Sequence, residues 1–134
     1  ALFGEALVIV NKDLRDHFRT YMKQSGGILA KGWLLGVQFY TLFKDGLYFK
    51  LAKHADKLAA KLKQGFVNAS IPLYMDSPTN QIFVVLTNEL AEKLAENFIY
   101  EFDHIVDEEH VCVRFCTSWS SSEDDIDQLI KSIS

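Results

Sequence analysis

The chain has 134 residues, 49% apolar and 24% charged, with a net charge of −4. That suits one domain able to bury a real core, and the charge, without any basic and aromatic cluster, argues against a nucleic-acid or anionic-membrane partner. Its two cysteines, four residues apart, are too distant on one strand to bridge. Without a disulfide framework or anything like a signal peptide, a cytoplasmic home is expected.

In chain order, Ala6 to Val10 is an unbroken apolar run, the pattern of a strand buried on both faces of a parallel sheet or of an edge or swapped strand on the chain's own sheet. Lys12 to Lys23 turns helical: Asn11 is the expected N-cap, Leu14, Phe18, Tyr21 and Met22 form the apolar stripe, and Gly26-Gly27 stops it. His17 reads as a surface histidine. Ile28 to Phe43 is apolar nearly all round, yet Lys31 and Gln38 interrupt it. As a helix it would be about 24 Å long against a hydrocarbon core of about 30 Å, so a helix buried in a core or a subunit interface is expected rather than a membrane span.

Leu47 to Gln64 is amphipathic. Leu47, Leu51, Ala55, Leu58, Ala59 and Leu62 line one face, Lys50, Lys53, Lys57 and Lys61 another, and Gly65 is expected to end the helix. The lysine stripe reads as a solvated face, with phosphate binding the alternative. Asn68 to Tyr74 and Ile82 to Leu86 then read as strands joined by the turn-forming Asp-Ser-Pro-Thr-Asn. Asn88 is expected to cap a helix through Leu90, Leu94 and Phe98, and Ile99 to His104 and Val111 to Thr117 read as two further strands around Asp107-Glu108-Glu109. Three serines and the acids Glu123, Asp124 and Asp125 mark the start of a last helix, whose buried stripe is Ile126, Leu129, Ile130 and Ile133. The second half is therefore ββαββα, an α/β (α+β) domain with an open, mostly antiparallel sheet and helices on one side.

Arg114 carries the chemical interest. Val111, Val113, Phe115 and Thr117 share one strand face, so Arg114 lies on the other, between Cys112 and Cys116. A guanidinium there requires an anion, either one of the chain's own carboxylates or a ligand. The four histidines (His17, His54, His104, His110) and two cysteines have no paired zinc spacing, so no metal site is expected. There is no G-x-S-x-G, P-loop or H-E-x-x-H, and both cysteines read as buried and inert.

The segments FGEALVIV, ILAKGWLLGVQF, SPTNQIFVVL and VRFCTSW followed by SSEDDID, in that order, resemble the C-terminal part of the low-specificity L-threonine aldolases. These are pyridoxal-phosphate enzymes of the aspartate-aminotransferase-like, β-eliminating lyase group. The resemblance implies a fragment of a lyase that cleaves β-hydroxy amino acids such as threonine to glycine and an aldehyde, inactive alone. Residues 1–45 would close the large cofactor domain, with a strand and a linking interface helix, and residues 46–134 would form the small C-terminal domain. No catalytic residue would lie in this chain, the Schiff-base lysine being expected upstream of Ala1. Arg114 falls where the family holds the substrate α-carboxylate; a bidentate fork on a rigid strand would fix the amino acid against the cofactor. Lys31 aligns with a family Lys-x-Arg segment at the cofactor mouth of the neighbouring subunit. Trp33 stands where that arginine is expected, so Lys31 is either a cofactor contact or a plain surface lysine. A homo-oligomer, dimer or tetramer, is implied. The alternatives are an aminotransferase or other β-eliminating lyase of the superfamily, and a free-standing anion-binding module.

Overall fold

A computed structural model describes residues 4–134, and Ala1, Leu2 and Phe3 of the family-like opening segment lie outside the described residues. The chain divides into two compact units, the first ending at Phe49 and the second running Lys50–Ser134.

In the first unit, Ala6 to Val10 has no regular secondary structure, and Leu7, Val8 and Val10 are exposed. The expected strand does not form because its backbone groups have no partner strand among the described residues. Asn11 does cap, its side chain accepting from Asp13 N at 3.0 Å, but only for a 3-10 turn, Lys12–Leu14. Helix α1 is Phe18–Gln24, preceded by His17 in the left-handed region at φ 55°. The expected single helix is thus broken in two. Its stop is as expected: Gly26 adopts φ 76°, Gly26 N–H donates to Lys23 O at 3.1 Å and Gly27 N–H to Met22 O at 2.8 Å. That double bond pattern satisfies the last carbonyls and needs a residue tolerant of positive φ. Helix α2, Trp33–Lys44, has no buried residue, and Trp33, Leu34, Val37, Tyr40 and Phe43 are all exposed. The expectation of burial within the chain's own core is not met. No helix among the described residues is long and apolar enough to cross a membrane.

The second unit is built on helix α3, Leu47–Asn68. Its buried residues Ala55, Leu58, Ala59, Leu62, Gly65 and Phe66 follow the helical period and face the sheet and the last helix. Gly65 does not end the helix as expected. A Cβ there would lie 2.5 Å from Ile130 Cγ1, so the glycine admits the last helix rather than stopping its own. Termination comes at Ser70, φ 61°, where Ile71 N–H reaches back to Phe66 O at 2.9 Å. The helix consumes Asn68, so β1 is only Leu73–Met75, shorter than the sequence suggests.

Strand β2, Gln81–Thr87, leads into α4, Asn88–Ala95. The cap is Thr87, whose Oγ1 accepts from Leu90 N at 3.2 Å, and not Asn88. Asn88 instead donates through Nδ2 to Glu108 O at 3.0 Å, tying the helix start to the hairpin of β3, Glu101–Ile105, and β4, His110–Cys116. The four strands pair antiparallel in the order β1-β2-β4-β3. Helix α5, Glu123–Ile133, begins with a capping box in which Ser122 Oγ accepts from Asp125 N and the Asp125 carboxylate accepts from Ser122 N. Ile82, Val84 and Leu86 of β2 and Val113 and Phe115 of β4 turn one sheet face to α3, α4 and α5. Helices on one side of an open antiparallel sheet is the architecture expected from the sequence.

Part of the lysine stripe of α3 is paired with this last helix. Lys57 Nζ lies 2.6 Å from Glu123 Oε1, and Lys61 Nζ lies 2.6 Å from Asp127 Oδ1. The hydrogen bond from Lys57, then its charge and that of Lys61, lowers the Glu123 carboxyl below the usual glutamate range. Both partners are exposed and solvent weakens the pair.

Gly65→Ala is expected to lower unfolding free energy by about 1–3 kcal/mol in denaturant titrations, because overpacking against Ile130 outweighs the better helix propensity of alanine. In an Ile130→Ala background the same substitution should become neutral or stabilising. A folded pKa below the unfolded one means that the Glu123 contribution is present above the ordinary glutamate value and is lost as pH falls through the lowered one. Glu123→Gln should therefore flatten the decline of stability below about pH 5, read from denaturation midpoints against pH at low salt.

Candidate functional site

The sheet face turned away from the helices carries Phe83 and Val85 from β2, Cys112 and Arg114 from β4, and Glu101 and His104 from β3. The register sets them side by side: Phe83 and Glu101 flank Arg114, and Val85 and His104 flank Cys112. Tyr74 joins them from the far edge. It is the extra residue at the register shift of β1, and its ring meets that of His104 edge-on at 4.8 Å. Since β1 and β3 are the two edges of the sheet, this contact joins side chains of its outer strands.

Arg114 is half-buried on this face. Its Nε is inaccessible to solvent and has no hydrogen-bond partner, and none of the ion pairs among the described residues involves it. The carboxylate registered opposite, Glu101, does not pair with it. Of the two partners open from the sequence, an internal carboxylate is therefore the one not found among the described residues. A buried donor left unmatched costs about 1–3 kcal/mol, whereas an anion gripped by the guanidinium fork would offset it.

The two cysteines separate. Cys112 is fully buried, and burial, followed by the nearby Asp103 charge, pushes its thiol up from the usual range. Cys116, expected buried, is exposed near the end of β4. The strand alternation gives both the same face but not the same cover. Beside Cys112, a register shift between Phe102 and His104 lets the adjacent Asp103 and His104 turn toward each other, with His104 Nδ1 2.7 Å from Asp103 Oδ2.

Lys31 belongs to the first unit, where it is exposed in the turn ahead of α2 and its carbonyl accepts from Leu34 N at 3.1 Å. His17 is exposed as expected, and His54 donates from Nε2 to Ser121 O at 2.8 Å, which secures the loop before α5. His110 lies 2.8 Å from Asp107 Oδ1 in the β3–β4 turn, where the bond from Glu109 N and then that from His110 lower the Asp107 carboxyl. A small apolar cleft of about 330 Å³ lies between that pair, Pro72, Val85 and Leu90.

No protein-family profile matches the chain. A low-specificity L-threonine aldolase of Pseudomonas aeruginosa is 24% identical over 131 residues, 97% of this chain and 37% of that protein. The structure of a threonine aldolase of Leishmania major superposes with a TM-score of 0.83 at 36% identity, over 93% of this chain and 36% of that one. The chain is related to the threonine aldolases. It spans little more than a third of the length of these relatives. A serine palmitoyltransferase of Sphingomonas wittichii also superposes, with a TM-score of 0.52 at 18% identity over 60% of this chain and 23% of that one, a likeness of fold alone.

The difference between the thiols is open to direct measurement. A small aromatic disulfide reagent should modify Cys116 quickly and Cys112 at least about ten-fold more slowly, since the thiolate is the reactive form and access is limited. Cys116→Ser should remove the fast phase and leave the slow one.

Proposed function

We propose that the chain is the C-terminal part of a pyridoxal-phosphate-dependent lyase of threonine aldolase type, which cleaves β-hydroxy amino acids to glycine and an aldehyde. In this reading residues 1–45 complete the cofactor domain and its interface helix, and residues 46–134 are the small domain. The observation that carries it is Arg114, held on a central strand with its Nε buried and, among the described residues, no ion pair to a carboxylate. The guanidinium would take the substrate α-carboxylate through two parallel bonds, fixing which substrate bond faces the reacting centre. Phe83 beside it would keep that end of the site partly dry, which strengthens the charge pairing.

The described residues of this chain do not by themselves fit the cofactor. Lys31 is exposed and stands alone ahead of α2, and the face around Arg114 supplies one cation and a neighbouring carboxylate but no phosphate cradle. The cofactor would therefore be held by segments beyond this chain, and the chain alone would be inactive. The apolar residues exposed on α2 support a homo-oligomer, dimer or tetramer, and the two free thiols support a cytoplasmic, reducing home.

In the complete protein, Arg114→Lys keeps the charge but loses the planar fork. It is expected to lower kcat/KM for threonine cleavage by about 1.5–3 kcal/mol, with cofactor content unchanged by absorbance. Wild-type kcat/KM in that variant would remove Arg114 from the substrate site. Absence of any aldehyde release from β-hydroxy amino acids by the wild-type protein would overturn the lyase reading itself.

A further inference from the structure

The geometry points to a metal site on the open sheet face, formed by Asp103, His104 and Cys112, that takes a zinc-class divalent cation. One donor atom from each residue lies within 4.8 Å of the other two. The arrangement follows from strand pairing rather than from sequence spacing. Regular alternation from Glu101 would put Asp103 across from Cys112 and send His104 to the opposite face; the shift in β3 instead registers His104 with Cys112, beside Asp103.

The chemistry of the donors selects the ion. A thiolate, an imidazole nitrogen and a carboxylate oxygen are a soft and borderline set, suited to zinc or cobalt and poorly suited to calcium or magnesium, which prefer all-oxygen shells. On binding, the Cys112 thiol gives its proton to solvent; with the Asp103 carboxylate and a neutral His104, the ligands then carry two negative charges against a divalent cation. Metal–donor distances of about 2.0–2.3 Å imply donors about 3–4 Å apart, so the widest separation in the cluster, within 4.8 Å, must close by up to roughly 1 Å. Asp103 is exposed and His104 half-buried on an edge strand, which leaves both free to turn, while buried Cys112 provides the fixed point. Tyr74, already edge-on to the imidazole, restrains the ring. Three protein ligands leave a fourth position for water or an exchangeable anion.

Arg114 and Glu101 are the charged neighbours on this face, next along the strands from Cys112 and His104. The repulsion of the guanidinium works against the cation, and the Glu101 carboxylate works for it. The site does not rest on the assignment of Arg114 to a substrate.

Cobalt(II) is the probe, because thiolate ligation adds a charge-transfer absorption that carboxylate and imidazole do not. The whole chain should bind about one equivalent with that absorption, and zinc should displace it. Cys116→Ser should behave as wild type, Cys112→Ser should lose the absorption, and Asp103→Asn and His104→Ala should each weaken binding at least about ten-fold. Zinc should also slow modification of Cys112 in the Cys116→Ser protein, a readout that needs no change at the buried position. No thiolate absorption in the wild type, its survival in Cys112→Ser, its loss in Cys116→Ser, or undiminished affinity in Asp103→Asn would each overturn the site.

Discussion

Phe66 of α3 and Phe115 of β4 meet at 5.3 Å between ring centroids in the middle of the second unit, and the rest of that unit is arranged around them. Phe66 is completely buried, a contribution of about 1.5–3 kcal/mol, and Tyr100 closes on Phe115 from the far side at 5.5 Å. This contact fixes which face of β4 looks inward. One residue before Phe66, Gly65 lets Ile130 of α5 come close to α3, where a side chain would collide with it. The buried hydroxyl of Thr117, donating to Ala55 O at 2.8 Å, locks the end of the same strand to the same helix.

The functional face is the reverse of that packing. Because side chains alternate along a strand, holding Val113 and Phe115 inward sends Cys112 and Arg114 outward, onto a surface that no helix of this unit covers. At Arg114, β4 is paired on both sides, with Phe83 of β2 and Glu101 of β3, so the guanidinium is presented from a well-anchored stretch of backbone. Its unsatisfied Nε is a cost of burial on that face, whereas the Cys112 thiol stays neutral and burial only disfavours its ionised form.

Much of this could be read from the chain. The helical period of Ala55, Leu58, Ala59 and Leu62, the alternation in β2 and β4, and the serine and acids before α5 are local signals, and each element formed where they stood. Arg114 was legible as well, since a single charge at an alternating position marks its own face. Misreadings arose where a local cue had two meanings. Glycine at 65 suggests a helix stop as readily as a helix contact, and Thr87 and Asn88 are both competent caps.

Sequence alone thus determined the order and polarity of the elements, because periodicity of 3.6 or 2 is a property of neighbours along the chain. Tertiary structure decided what became of each apolar or polar face. It buried Cys112 and exposed Cys116 on one strand, left Ala6 to Val10 without a partner, and joined Asp103, His104 and Cys112 across a shifted register. Those outcomes depend on which distant backbone pairs with which, and cross-strand register is not written in the spacing of any one segment.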